Sequence, residues 1–329
     1  MNRKPRILVV GSFMMDLIAS APRVPDLGET VIGTSFQTAG GGKGINQAVQ
    51  CARLGADVTM AGCVGNDAFG REMLGIAEAS DVDVSHVKIS DKSSSGVGNI
   101  QLQVTSEGVQ NRIMVIPGAN YDLTVADLKW IEEEIGNYDI VLLQLELTMD
   151  VTEYVARIAA QNGVPVMLNP APAAELSDEL LSNITYLSPN EFEAALLADC
   201  SILAVYDGID EAALKRVVDN LRQRGVDKVI VTLGSNGSAI ADSKGIKRIP
   251  CVEMDNVADP TAAGDSFVAA FCYGVTSGLT EEQALTLASY TAAITVTRMG
   301  AMPSLPRLEE VIDFMRSRGC NVINTEQLC

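Results

Sequence analysis

Two patterns of hydrophobic and polar residues follow each other repeatedly along the chain. Compact apolar runs at Arg6–Val10 and Val58–Val64 are typical of buried strands in a parallel sheet. Between such runs, residues 67–79, 150–162 and 210–224 carry apolar side chains at helical spacing. Strands that alternate with helices predict an α/β fold, with a doubly wound, mostly parallel sheet flanked by helices. The sequence also predicts a strand near residues 30–38 and a helix near 124–136.

One region changes to a period of two. Ile100, Leu102 and Val104 alternate with polar residues, and a turn at residues 106–108 precedes a similar pattern at Ile113 and Val115. This pattern predicts a β-hairpin inserted into the strand–helix series. With the strand near residue 30, it can form a small sheet separate from the main one. Its apolar face needs cover from a ligand, the main sheet or a second subunit.

Composition narrows the class of protein. The chain has 329 residues and a formal net charge of −18 at pH 7, which argues against nonspecific binding to nucleic acid or to an anionic membrane. Its seven cysteines are odd in number and scattered without a CxxC pair, so a reduced, cytoplasmic setting is expected. The least charged C-terminal stretch, residues 283–297, is too short and polar to span a bilayer.

The strongest chemical signal is DPTAAGDSF at residues 259–267, directly before an amphipathic helix. The first amides of a helix lack partners within the helix, and the helix dipole adds partial positive charge there. Alanine and glycine leave those amides accessible to an anion. Asp265, in the same first turn, could be a base that deprotonates a hydroxyl beside a bound phosphoryl group. Alternatively, it is an ordinary first-turn acid and Gly264 a turn residue.

A second glycine-rich helix start lies at residues 39–55, reading AGGGKGINQAVQCARLG. A P-loop requires Ser or Thr after Gly-Lys, whereas Gly44 and Ile45 follow Lys43 here. The dinucleotide fingerprint requires a glycine at the position of Ile45. We therefore expect this loop to bring bare backbone close to another polar ligand, with Asn46 facing it.

Several polar residues lie at or just beyond predicted strand ends. In a parallel sheet those ends share one edge, where ligands bind. Each residue alone could be a turn or cap residue, but their coincidence favours an anion-handling α/β enzyme. They are Asp16, Glu146, Asn169, Asn190, Thr232 and Gly234.

Eight motifs make the chain resemble the phosphofructokinase-B-type carbohydrate kinases, and within them the ribokinases. The resemblance extends from about Ile7 to about Met315. It is carried by GETV (28–31), GGKGINQA (41–48), LQLE (143–146), LNPAPA (168–173), SPNEFEA (188–194), VTLGSNG (231–237), DPTAAGDSF (259–267) and TRMGAMPS (297–304). It implies a single α/β domain over residues 1–329, with an inserted β-sheet lid formed from about 12–45 and 96–118.

The resemblance also assigns roles to individual residues. It implies an ATP-dependent kinase in which Asp265 deprotonates the 5-hydroxyl of D-ribose, giving ribose 5-phosphate and ADP. The amides of Ala262, Ala263 and Gly264 would form an anion hole for the transferred phosphoryl group. The implied sugar ligands are Asp16, Gly42, Lys43, Asn46 and Glu146. The implied nucleotide residues are Asn190, Thr232, Gly234, Ser235, Gly237 and Ser289.

Two cations and a dimer follow from the same resemblance. Asn190 and Glu193 would organise Mg²⁺ through water. A K⁺ site would use side-chain oxygens of Asp259 and Ser304 and carbonyls of Thr261, Thr295, Arg298 and Gly300. The lid implies a homodimer.

Met14 departs from the pattern, since many members of the family have Asn there. Loss of that polar contact could relax discrimination between ribose and 2-deoxyribose, unless a neighbouring group compensates. A 2-deoxyribose kinase is thus one alternative. The others are another furanose or nucleoside kinase and, from a different class, a non-catalytic sugar sensor on the same fold.

Overall fold

The computed structural model describes residues 3–105, 108–200, 204–205, 208–324 and 328. Part of the turn predicted at residues 106–108 and part of the tail after Arg318 lie outside that range. The described strands are β1 (Arg6–Val10), β2 (Met14–Ala21), β3 (Ser35–Gly41), β4 (Asp57–Gly65), β5 (Val82–Ser90), β6 (Gly96–Thr105), β7 (Gly108–Ile116), β8 (Ile140–Gln144), β9 (Val166–Asn169), β10 (Tyr186–Leu187), β11 (Ala204–Val205), β12 (Gly208–Ile209), β13 (Lys228–Thr232), β14 (Ser238–Asp242) and β15 (Gly245–Ile249). The described α-helices are α1 (Lys43–Arg53), α2 (Ala68–Glu78), α3 (Ile131–Glu134), α4 (Met149–Gln161), α5 (Asp178–Ser182), α6 (Glu191–Leu197), α7 (Glu211–Gln223), α8 (Ala263–Thr276), α9 (Glu281–Thr295) and α10 (Leu308–Ser317).

The main sheet has nine strands in the order β15-β14-β13-β10-β9-β8-β1-β4-β5. The strands from β13 to β5 pair in parallel, while β14 and β15 extend one edge in antiparallel fashion. This arrangement confirms the predicted doubly wound α/β fold. It also brings the carboxyl ends of β1, β8, β9, β10 and β13 to one edge. Five of the six polar residues predicted there lie at or just beyond those ends, namely Glu146, Asn169, Asn190, Thr232 and Gly234.

Buried strands explain why helices cover both faces of this sheet. Along β1, Ile7 and Val9 belong to one hydrophobic core and Leu8 and Val10 to the other, because successive side chains of a strand point to opposite faces. The first core packs helices α1, α2, α8, α9 and α10 against the sheet, and the second packs α3 to α7. A sheet buried on both faces requires the near-continuous apolar strands that the sequence contains.

A separate four-stranded sheet, which we call the lid, has the order β3-β2-β6-β7. β2 pairs with β6 in parallel, and the other two pairs are antiparallel. The hairpin predicted from the period of two is therefore present as β6 and β7. Its large apolar side chains include several that are exposed, among them Ile113 and Met114.

Several local predictions were wrong or incomplete. The strand expected at residues 30–38 begins only at Ser35, where its pairing with β2 starts. The strands β2 and β5 and the short helix α5 were not predicted. The helix expected over 124–136 is divided into short turns, 3₁₀ at Val125–Leu128 and α-helical only at Ile131–Glu134. In the first of these turns, Thr124 and Asp127 form a capping box, and Asp127 Oδ2 also accepts from Lys88 Nζ at 2.8 Å.

Candidate active site

The first turn of α8 and its N-cap leave three amides open at the edge of the main sheet. Its N-cap residue, Ala262, has φ 60° and offers no side-chain acceptor to the helix. The Ala263 amide donates to Pro260 O at 3.2 Å, so one member of the predicted anion hole is already occupied. Among the described residues, the amides of Ala262, Gly264 and Asp265 have no protein acceptor. These three remain available to a ligand anion.

Asp265 lies in the same turn and is almost fully buried. Its Oδ2 accepts a hydrogen bond from Asn46 Nδ2 at 2.9 Å, and its Oδ1 accepts one from Gln47 Nε2 at 3.1 Å. Burial raises the pKa of Asp265, while the charge of Lys43 and the two amide donors oppose that rise. A carboxylate whose pKa is raised but which remains hydrogen-bonded is suited to accept a proton.

The start of α1 is organised differently, because its amides are taken up by the protein. The Lys43 amide donates to Glu146 Oε2 at 2.9 Å, and the Gly44 amide donates to Ser12 Oγ at 3.3 Å. The Ser12 hydroxyl also donates to Glu146 Oε2. Glu146 follows β8 and Ser12 follows β1, so the glycine-rich loop fixes a carboxylate at the sheet edge.

Asp16 was expected at the end of the first strand, and that placement was wrong. It is the third residue of β2 in the lid, opposite Gly98 of β6. A side chain at position 98 would bring its Cβ within 2.2 Å of Asp16 Oδ1, so glycine makes room for the carboxylate. Burial, followed by the negative charge of Glu146, raises the pKa of Asp16 to about 6.

A cleft of about 240 Å³ joins α1, α8 and the strand ends. Within it, Lys43 is the residue with a cationic side chain. Burial lowers the pKa of Lys43, but the carboxylates of Asp265, Glu146 and Glu193 outweigh burial and raise it. The lysine therefore stays charged. The cleft is lined by Lys43, Asn169, Ala171, Ser188, Asn190, Glu193, Thr232, Pro260, Ala262, Gly264, Asp265 and Val268. A second cleft, of about 270 Å³, is lined by residues such as Asp150 and Arg157 and contains none of the predicted site residues.

Asn190 and Glu193 form a capping box at the start of α6. Asn190 Oδ1 accepts from the Glu193 amide at 2.8 Å, and Glu193 Oε2 accepts from the Asn190 amide at 2.9 Å. Burial raises the pKa of Glu193, which the hydrogen bond from Asn190 opposes. This reciprocal pair fixes one carboxylate and one amide side chain on the wall of the cleft.

The predicted nucleotide turn directly follows β13. Thr232 forms a parallel bridge with Asn190, and its amide donates to Pro189 O at 3.1 Å. Gly234 and Ser235 are exposed in a 3₁₀ turn that ends at Gly237. Ser289 lies on α9, where its hydroxyl donates to Leu285 O at 2.9 Å. The turn therefore adjoins the cleft, whereas Ser289 is bound within its own helix.

The residues predicted to bind K⁺ come from two linked segments. The amides of Ala258 and Asp259 donate to Val296 O, and Asp259 Oδ2 accepts from the Gly300 amide at 2.9 Å. Asp259 Oδ1 accepts from the amide and hydroxyl of Thr261 at 2.9 and 2.6 Å. In the second segment, Thr295 and Ser304 are buried, and the Arg298 side chain forms an ion pair with Glu310. Together, these residues offer oxygen atoms as ligands and one negatively charged carboxylate, a set that suits a monovalent cation.

Neither cation site has the usual signature of a directly bound metal. In the part of the chain that the structure describes, no cluster of three His, Cys, Asp or Glu side chains could hold a metal ion. Water-mediated Mg²⁺ and carbonyl-bound K⁺ do not require such a cluster.

Three residues at the site were missed or given no role from the sequence: Gln47, Gln144 and Ser12. Gln47 lies four residues after Lys43 and therefore on the same helical face, which is the signal that could have identified it. Asn169 was recognised as a strand-end residue only. In the structure it accepts a hydrogen bond from Gln47 Nε2 at 3.2 Å.

The chain is similar to known carbohydrate kinases. The pfkB family carbohydrate kinase model matches residues 4–308. The chain is 39% identical to the ribokinase of Schizosaccharomyces pombe, over 93% of this chain and 96% of that protein. It is 31% identical to the deoxyribokinase of Salmonella typhi, over 94% of this chain and 98% of that protein.

The structure of Arabidopsis thaliana ribokinase complexed with ribose and ATP superposes with a TM-score of 0.86 at 32% identity, covering 95% of this chain and 99% of that one. Among the described residues, no helix is both long and apolar enough to cross a bilayer. The chain belongs to the pfkB family of carbohydrate kinases.

Proposed function

We propose that the protein transfers the γ-phosphoryl group of ATP to the 5-hydroxyl of D-ribose, giving ribose 5-phosphate and ADP. The observation that carries this proposal is the pairing of Asp265 with the open amide of Gly264 in a single helical turn. The carboxylate would accept the proton of the attacking hydroxyl while the amides of Ala262 and Gly264 stabilise charge on the phosphoryl group. The identity to the ribokinase of S. pombe supports ribose as the acceptor.

The sugar would bind between the lid and α1. Asp16 and Glu146 supply carboxylates that accept from hydroxyl groups, while Lys43 and Asn46 supply donors. Gly42, at the N-cap of α1, would offer its backbone to the same sugar. Because Glu146 is held by Ser12 and the Lys43 amide, its orientation is set before the sugar arrives. Such preorganisation reduces the entropy lost on binding.

The charge balance of the site supports a requirement for cations. Around the cleft, the carboxylates of Asp16, Glu146, Glu193 and Asp265 outnumber the ammonium group of Lys43. Phosphate groups of ATP would add further negative charge. Asn190 and Glu193 would hold Mg²⁺ through water, and the bound ion would neutralise and orient the phosphates. Thr232, Gly234, Ser235 and Gly237 would contact the nucleotide, with Ser289 near the base.

A potassium ion would stabilise the loop that carries the open amides. Asp259 and Ser304 would supply side-chain oxygens, and Thr261, Thr295, Arg298 and Gly300 would supply carbonyls. Asp259 is ionised for this role, because hydrogen bonds from Thr261 and Gly300 overcome the effect of burial and lower its pKa. We expect faster turnover in K⁺ buffer than in Na⁺ buffer at equal ionic strength. Equal rates would reject the K⁺ site.

A 2-deoxyribose kinase is the second candidate, and Met14 favours it. The Met14 sulfur accepts from Asn120 Nδ2 at 3.7 Å, and its Cγ lies 3.3 Å from where a side chain at Gly42 would begin. A thioether beside the predicted sugar ligands offers a weak acceptor where a hydroxyl would need a polar partner. The deoxyribokinase relative is consistent with this alternative.

The lid also supports a homodimer. Phe36, Ile113, Met114 and Val115 are each more than half exposed. Phe36 lies on the edge strand β3 and the other three on the opposite edge strand β7, where successive side chains face alternate sides of the sheet. Exposed apolar edge strands of this kind are typical of surfaces that pair with another chain, and a second copy of the lid offers matching edges. Sedimentation at working concentrations should show a dimer. A monomer throughout that range would reject it.

A coupled assay of ADP release over a sugar and nucleoside panel tests the proposal. We expect D-ribose to give the highest kcat/KM. A preference for 2-deoxyribose would establish the second candidate. A preference for nucleosides would show that the protein is instead a kinase for another class of furanose compound. Ligand binding without ADP release would instead indicate a sugar sensor.

A further inference from the structure

A chain of buried amide side chains leads from the main sheet to Asp265. Gln144 and Asn169 end β8 and β9 and lie opposite each other in register. Gln47, on α1, donates from Nε2 to Asp265 Oδ1 at 3.1 Å and to Asn169 Oδ1 at 3.2 Å. Gln144 Nε2 donates to Gln47 Oε1 at 2.7 Å. The carboxylate is therefore tied to the two strands through one glutamine.

Two groups that can only accept hydrogen bonds determine the direction of this chain. At one end is the carboxylate of Asp265, which is ionised in its proposed role as the base, and at the other is the Ser188 carbonyl, which accepts from Asn169 Nδ2 at 3.0 Å. Asn169 must consequently present its oxygen to Gln47. Gln47 must then present its NH₂ group to both Asn169 and Asp265, and its oxygen to Gln144. One arrangement therefore makes all four of these hydrogen bonds, and among the described residues it leaves Gln144 Oε1 without a partner.

Gln47 acts on Asp265 without access to the substrates. Its exposed fraction is 0%, and it does not line the cleft. Lys43 on α1 and Glu193 on α6 are the charged groups that interact with Asp265. Neither belongs to the amide chain. The contribution of Gln47 can therefore be separated from substrate binding and from the charges of the site.

We propose that Gln47, held by Gln144 and Asn169, is the positioning residue of the catalytic carboxylate Asp265. Gln47 fixes the side-chain rotamer of Asp265, so that Oδ1 and Oδ2 of that carboxylate each face a defined partner. Its hydrogen bond also favours the ionised form of Asp265. This inference rests on the proposed function, in which Asp265 is the base.

The test is the pH dependence of Gln47→Met in the full chain. Methionine keeps the volume of the side chain but removes its donors. Loss of a hydrogen bond to a carboxylate raises the pKa of that carboxylate. The acid limb of the kcat–pH profile should therefore shift to higher pH by about one unit. At pH values below the limb, kcat of the variant should be about tenfold lower than that of the unmodified protein. The KM values for ribose and ATP should stay within about twofold of those of the unmodified protein.

Gln50→Met is the matched control. Gln50 lies one turn later on α1, is equally buried and donates to Pro306 O at 2.9 Å. The control should lower the unfolding temperature to a similar extent but leave the acid limb in place. If both variants move the limb equally, Gln47 has only a structural role and the proposal is overturned.

A double-mutant cycle with Asp265→Asn completes the test. If Gln47 acts through the carboxylate, Gln47→Met should cause no further loss of kcat in that background. An equal loss in both backgrounds would overturn the inference. Near-normal turnover of Asp265→Asn alone would overturn the proposed function itself. A slow Asp265→Asn enzyme with an unshifted Gln47→Met limb would overturn this inference only.

Discussion

Helices α1 and α8 start at the same cleft, and each has glycine as its second residue, Gly44 and Gly264. Neither N-cap residue offers a side chain to the helix. The amides of α1 are nevertheless occupied, because Glu146 and Ser12 accept from them. The Gly264 amide has no such acceptor among the described residues. A glycine-rich helix start is thus an anion site only where neighbouring side chains leave its amides open.

The two glycines are present for different physical reasons. A Cβ at position 44 would lie 2.7 Å from Gly11 Cα, closer than carbon atoms can approach. A Cβ at position 264 would meet no protein atom within 4 Å. Gly44 therefore permits close backbone packing between α1 and the end of β1, whereas Gly264 leaves space for a ligand.

The largest expected effect distinguishes catalysis at α8 from binding at α1. Asp265→Asn removes the proton acceptor, so kcat should fall by about 10²–10⁴. The affinity for ATP should change little, because Asp265 faces the sugar hydroxyl in the proposed arrangement. Steady-state kinetics with an ATP titration measure both quantities. A variant with nearly normal kcat would show that the open amides act without this base.

A pair of alanine substitutions tests the two glycines directly. Gly264→Ala should lower kcat by about 10- to 100-fold, because its methyl group displaces the phosphoryl group from the amides. Its unfolding temperature should not decrease. Gly44→Ala should instead destabilise the fold by about 1–3 kcal/mol through overpacking. Thermal unfolding and kinetics of both variants test these expectations. A destabilised Gly264→Ala and a stable but slow Gly44→Ala would show that the two glycines do not have these separate roles.

The smallest expected effect concerns pH at the α1 side. Asp16 has a pKa of about 6, so kcat/KM for ribose should fall as the pH drops through that value and the carboxylate is protonated. Glu146→Gln removes the like charge that contributes to the raised pKa. The acid limb should therefore move to lower pH, even though kcat/KM falls at every pH. A limb that stays in place or moves upward would contradict this electrostatic link.

Much of the fold and part of the site could be predicted because the signals are local. Apolar runs identified most strands of the parallel sheet, and the alternating pattern identified the lid hairpin. Asp265 and Gly264 were recognisable because a helix start and its exposed amides are encoded by adjacent residues. The capping box of Asn190 and Glu193 is equally local.

The remaining features depend on contacts that are distant in sequence. Asp16 lies within β2 because that strand pairs with β6, more than 70 residues later, and no local pattern specifies this pairing. The Gln47–Asp265 hydrogen bond joins residues 218 positions apart. Occupation of the α1 amides by Glu146 and Ser12 likewise requires the assembled sheet edge. Sequence could locate both glycine-rich starts but not tell which one stays open.

The most direct test is a crystal structure with ribose and a non-hydrolysable ATP analogue. If Asp265 is the base beside an open anion site, the sugar O5 should lie within about 3 Å of an Asp265 carboxylate oxygen, and the Gly264 amide should bind a γ-phosphate oxygen. A γ-phosphate bound instead at the start of α1, with the sugar O5 far from Asp265, would contradict that assignment.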